Sequence, residues 1–156
     1  LAGLLALIFL IASVHSSEAD DPAEWRSLNE VVHDASSDIT QVAYFAARCA
    51  GLSFSLSKAF SERTDAVEVS DTMLNHGSRF MRLSTKINLK LGGEVPTRHN
   101  MDRQMKRESG TVIKMSNSYI DRMEQNYIST GTFFEKDPFM KNEIRTCMEF
   151  AKSLTN

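Results

Sequence analysis

The chain has 156 residues, with 18 Lys and Arg against 20 Asp and Glu, a formal charge of −2 with neutral histidines, and two cysteines. That length suits a single domain able to bury a core without metals or many bridges. The near-neutral balance argues against a wholesale polyanion binder.

Residues 1–14, LAGLLALIFLIASV, carry no charge and have the length of a secretory apolar region. Ser17-Glu18-Ala19 then puts small side chains at both positions a signal peptidase inspects, with Asp20 and Asp21 just beyond. We therefore expect a signal peptide over 1–19 and a single helical domain over 20–156; Val14-His15-Ser16 offers a second cleavage site. The run opens on Leu1, without the basic flank that orients such a segment, so the alternative is an uncleaved anchor, for which about 20 apolar residues are needed. No later window of comparable length is free of charge. The expected localisation is exported, periplasmic or secreted, or else anchored by the N-terminal apolar segment.

Period-two alternation and Asn-Gly or Asp-Gly turns are missing, whereas the helical period recurs. A short helix is expected from Pro22 to His33, with Trp25, Leu28 and Val32 on one face, and a break at Ser36-Ser37-Asp38. Ile39, Val42, Ala46, Cys49, Leu52, Leu56 and Phe60 form an apolar stripe for a helix over 39–60, and Tyr44 to Gly51 reads as its packing centre. Asp65 and Glu68 have capping-box spacing. They open a helix with Val69, Met73, Phe80, Ile87 and Leu91 on its buried face, stopped by Gly92-Gly93.

A third long helix is expected from Arg98 to Ser129, with Met101, Met105, Val112, Met115, Tyr119, Met123 and Tyr127 spaced for burial and Gly110 a weak point within it. Asp137-Pro138 supplies an N-cap and first-turn proline, followed by Met140, Ile144, Cys147, Ala151 and Leu154. The expected fold class is all-α: an up-and-down four-helix-bundle-like domain after a signal peptide. Export makes a Cys49–Cys147 disulfide the default pairing. Its closed loop of roughly 100 residues is worth nearly 5 kcal/mol in the chain-entropy treatment.

Charge is segregated. Residues 18–38 hold seven acids against Arg26, while residues 79–114 hold nine bases against Glu94, Asp102 and Glu108. Arg79, Arg82, Lys86 and Lys90 fall at i, i+3, i+7 and i+11, one stripe able to contact an acidic protein, an anionic lipid or a glycan. Phe133 and Phe134, in the loop before the last helix, add a candidate partner contact, since adjacent phenylalanines seldom both face a core. Nucleic acid is disfavoured by compartment and by the missing basic, aromatic-interleaved motif.

Signals for chemistry are weak. His99, Met101 and Met105 form a soft-metal set of the kind copper accepts, without repetition to support it. Haem lacks a CxxCH motif and a histidine on the last helix. A di-iron core would need two Glu-x-x-His pairs, and Glu30 with His33 is one. Ser55-Leu56-Ser57-Lys58 matches SxxK without its SDN and KTG companions. Asp121 and Glu124 share a helix face of ordinary solvated type. No catalytic residue and no cofactor is assigned. The expected function is a non-catalytic binding or interaction module; the alternative is a small-ligand or metal carrier, for copper or haem, or an enzyme with a site hidden in the core.

Overall fold

A computed structural model describes residues 25–35 and 38–154. The apolar segment 1–14, both cleavage positions and the expected helix start at Pro22 lie outside these residues.

The described chain is all-helical: α1 (Leu28–Ala35), α2 (Ile39–Ser61), α3 (Val67–Leu91), α4 (Arg98–Thr130) and α5 (Pro138–Ser153), with a 3-10 turn at Thr64–Ala66. Among the described residues no helix is long and apolar enough to cross a membrane. The helix ends follow from local chemistry. Asp38 caps α2 by accepting from the Thr40 N–H, and Thr97 caps α4 by accepting from Asn100. Asp137 caps α5 through the Phe139 and Met140 N–H groups, with Pro138 in the first turn. At the end of α3, Gly93 has φ 70°, and the Glu94 and Gly93 N–H groups return to Leu89 and Lys90 carbonyls. That is the paired closure of a left-handed stop. Gly131, at φ 73°, ends α4.

The start of α3 departs from the expected capping box. Its N-cap is Ala66 with no side-chain bond. Asp65 is drawn instead to Arg63, 2.9 Å from its guanidinium.

Helix α2 is the hub, contacting α1, α3, α4 and α5. Its alanine-rich centre makes this possible: Ala43, Ala46, Ala47, Ala50 and Gly51 are all buried, alongside Phe45, Leu52 and Leu56. Small side chains on several faces let more than one neighbour approach closely. A Cβ built on Gly51 would sit 2.8 Å from Met115 Cβ and 3.1 Å from Ser116 N, so α4 crosses α2 at this residue.

The disulfide forms as expected, Cys49 to Cys147, with both cysteines fully buried. It ties α2 to α5. Phe150 of α5 packs edge-on to Phe45 and parallel to Phe80, so α5 also reaches α3.

Three expected faces are corrected. In α1 the buried valine is Val31, whereas Val32 is exposed. In α4 the buried stripe Val112, Met115, Tyr119 and Met123 ends before Tyr127, which is exposed and stacks on Phe133. The largest correction is α3: Val69 and Leu91 are exposed, and the buried face is Ser70, Gly77, Phe80, Ser84, Thr85 and Leu89. The physical reason is proximity. Ser70 Oγ lies 3.2 Å from Ser57 Oγ and donates to the Ser57 carbonyl at 2.8 Å, an approach of α3 to α2 that larger side chains would block.

Candidate functional site

The most polar buried feature is a cluster that sequence reasoning missed. Arg48 and Glu143 are both fully buried and form an ion pair. A second guanidinium nitrogen of Arg48 donates to the Arg26 carbonyl at 2.6 Å. The Glu143 carboxylate also accepts from the Leu28 N–H at 2.7 Å and from the Tyr119 hydroxyl at 2.6 Å. Trp25 covers the guanidinium, 4.6 Å from ring centroid to Arg48 Cζ, and stands edge-on to Tyr119.

The protonation states follow from this enclosure. Burial works against the Arg48 charge, but Tyr119 and Glu143 beside it outweigh that effect and hold its pKa above the ordinary value. Burial raises the Glu143 carboxyl, and Arg48, Tyr119 and the Leu28 N–H offset part of the rise. Burial likewise holds Tyr119 well above the usual phenol range, so its hydroxyl stays a donor. The polar side chains of Arg48, Glu143 and Tyr119 are fully buried and hydrogen-bonded within the protein, whereas the indole N–H of half-buried Trp25 has no hydrogen-bond partner among the described residues. The cluster joins α1, α2, α4 and α5.

The exposed candidate is the basic stripe of α3. Arg82, Lys86 and Lys90 are exposed and Arg79 is half-buried. Among the described residues none of the four makes an ion pair or side-chain hydrogen bond. Their spacing lays them along about 16 Å of helix. Two of the three acids in this region are engaged elsewhere, Glu94 with Arg103 and Glu108 between the helices, where it accepts from Ser84, Thr85, Asn88 and Gln104; the third, Asp102, is exposed near the start of α4. The described part of the acidic N-terminal region, α1, packs on α2 and α5. His76, one turn before Arg79, is half-buried with its pKa lowered by burial and by Arg79, which favours its neutral form.

Phe133 and Phe134 do not join the stripe. Phe133 stacks on Tyr127 at 4.8 Å and borders a hollow with Lys58, Ala59 and Glu62 at the C-terminal end of α2. That end meets the start of α3, from which Arg79 is about 18 Å distant along the helix. Phe133 is the more exposed of the two, and Phe134 packs against the core.

The remaining candidates are placed as follows. Met101 and Met105 are half-buried on one side of α4, and His99 is exposed about 160° around the axis from Met101. Among the described residues no group of three His, Cys, Asp or Glu could hold a metal ion. Ser55 is buried and donates to the Leu52 carbonyl, while Lys58 is exposed, so the SxxK pair does not converge. Asp121 and Glu124 are exposed. A cavity of about 270 Å³ between α2, α3 and α4 is bordered by Tyr44, Ser84, Asn88, Glu108 and Met115.

No family model, no curated protein and no solved structure matches the chain.

Proposed function

We propose that this is an exported, non-catalytic binding module that engages an anionic partner through Arg79, Arg82, Lys86 and Lys90. In this reading residues 1–19 are a signal peptide, and α2 to α5 act as an up-and-down four-helix-bundle-like domain in the periplasm or outside the cell. The observation that carries it is the stripe's lack of compensation: four cations of one sign share one helix face, without an ion pair among the described residues. Such a one-signed field attracts and orients an acidic surface, whether protein, lipid head group or glycan. Burial of the α3 face through small residues supports this indirectly, because it leaves the long cationic side chains to solvent on the opposite side.

The test is binding of the purified chain to anionic vesicles, to a sulfated glycan and to an acidic protein column at low and high salt, against the R79E/R82E/K86E/K90E variant. Salt-sensitive binding to at least one surface, abolished by the charge reversal, is expected. Equal binding by the variant, or no binding to any of the three, overturns the proposal.

The carrier reading has one observation in its favour, the cavity beside Glu108. Glu108 there accepts from four neutral donors on α3 and α4, an arrangement that equally serves to staple the two helices.

A further inference from the structure

We infer that a second site, for a single-chain anionic amphiphile such as an alkyl carboxylate, lies between the 131–137 loop and the first two turns of α5. The cleft there measures about 590 Å³, within the roughly 300–1,000 Å³ of ligand-binding clefts. It is independent of the α3 stripe and shares none of its residues.

Two chemistries line it. Phe134, Pro138 and Ile144 give it an apolar floor, and Lys136, Lys141 and Arg145 give it a cationic rim. Lys141 and Arg145 are i and i+4 on α5, so their side chains rise from one face. Among the described residues no carboxylate pairs with any of the three. Lys136 donates to the Thr130 carbonyl at 3.2 Å, Arg145 donates to Asn142 Oδ1 at 2.8 Å, and Lys141 makes no side-chain bond. Glu135 is the one acid on the wall, and its carboxylate accepts from the Phe134 N–H. Two positive charges therefore remain in excess over an apolar surface.

The helix end itself is not the receptor. Asp137 already occupies the first N–H groups of α5 and is paired with Arg122. An incoming anion meets side chains instead. The guanidinium of Arg145 offers further N–H donors suited to a carboxylate, and Lys141 adds a mobile ammonium beside it. The tail then removes Phe134 and Ile144 from water. An open groove of this size accommodates one alkyl chain.

The test titrates the full chain with dodecanoate below the concentration at which it forms micelles, using calorimetry and amide chemical shifts. Dodecyltrimethylammonium and acetate serve as probes of opposite charge and of no tail. Saturable one-to-one binding of dodecanoate is expected, with shifts centred on the 134–145 region. It should be at least about tenfold weaker in K141E/R145E and in K141E alone weaker by a smaller factor, because each reversal replaces an attraction by a repulsion. The thermal midpoint should be unchanged in both variants, since these side chains are exposed, and R79E/R82E/K86E/K90E should bind as the wild type does. Comparable binding of dodecyltrimethylammonium would show plain apolar adhesion and overturn the proposal. So would acetate competing as well as dodecanoate, no binding of dodecanoate, or undiminished affinity in K141E/R145E.

Discussion

Arg48 and Glu143 meet inside the protein next to the Cys49–Cys147 bond, so an ion pair and a disulfide join α2 to α5 side by side. Adjacency in sequence arranges this. Arg48 precedes Cys49, and Glu143 lies one helical turn before Cys147. The covalent link fixes the two helices close enough for the charges to pair, and the charges in turn hold the backbone of residues 26–28.

A buried pair of this kind is costly to break from one side. Arg48→Met leaves the Glu143 carboxylate without its cation in a dry site, and we expect a loss of about 3–5 kcal/mol in chemical denaturation. The double variant Arg48→Met/Glu143→Leu removes both charges and should recover at least about 1 kcal/mol of that loss. Full recovery is not expected, because the Tyr119 hydroxyl and the Leu28 N–H would lose their acceptor. Strictly additive costs in the double variant would disprove the coupling.

The disulfide spans 98 residues of sequence. Opening it releases a long loop in the unfolded chain, an effect of about 5 kcal/mol in the chain-entropy treatment. Cys49→Ala/Cys147→Ala should therefore lower the denaturation midpoint strongly, and reductant should lower that of the wild type but leave the variant unmoved. A midpoint insensitive to reductant, with the bond shown open by mass, would contradict this account.

The contrast between helices α2 and α3 explains what the sequence revealed. In the middle of α2, Ala46, Cys49, Leu52 and Leu56 are both apolar and buried, so hydrophobic period and burial coincide there, although Ile39 at the start of the expected stripe is exposed. In α3 they part: Val69 and Leu91 face solvent while Ser70 and Gly77 are buried against α2 and Ser84 is buried with its hydroxyl on Glu108 of α4. Hydrophobic periodicity reports transfer from water, whereas this interface is set by how closely two backbones can approach, which small polar residues satisfy by bonding locally. The basic stripe was legible because it depends on spacing within one helix. The Arg48–Glu143 pair was not, since it joins residues 95 apart; the available signal was a charged residue beside or one turn from each disulfide cysteine. Phe133 and the stripe were legible singly, but their separation depends on which helix ends are neighbours.

Asp137 gives the clearest pH signature. Burial acts to raise its pKa, but the Arg122 guanidinium, the Asn126 amide and the Met140 N–H together outweigh burial and bring it to about 2 from 3.8. A carboxyl depressed on folding contributes stability that is present above about pH 4 and lost as pH falls through about 2. With the side chain nearly enclosed, the contribution is about 2 kcal/mol. Asp137→Asn should remove that part of the acid dependence while costing stability at neutral pH, measured by denaturation at steps from pH 6 to 2. An unchanged slope between pH 4 and 2 would show that Asp137 is not the group responsible.

Two glycines, each in the interior of a long helix, should respond in opposite directions to alanine. Gly110 lies inside α4 with helical backbone, and a Cβ there meets no atom within 4 Å. Alanine at this position narrows the unfolded ensemble and adds no clash, so Gly110→Ala should stabilise by about 1 kcal/mol. Gly51 is equally helical, yet its Cβ would stand 2.8 Å from Met115 Cβ and 3.1 Å from the Ser116 backbone nitrogen. Neither atom is the far end of a flexible side chain, so α4 itself must shift. The same propensity gain is then overtaken by overpacking of about 1–3 kcal/mol, and Gly51→Ala should destabilise. Equilibrium denaturation of both variants decides the matter: a stabilised Gly51→Ala would mean that α4 does not cross α2 as closely as the geometry requires, whereas a destabilised Gly110→Ala would place an unseen contact on the exposed side of α4.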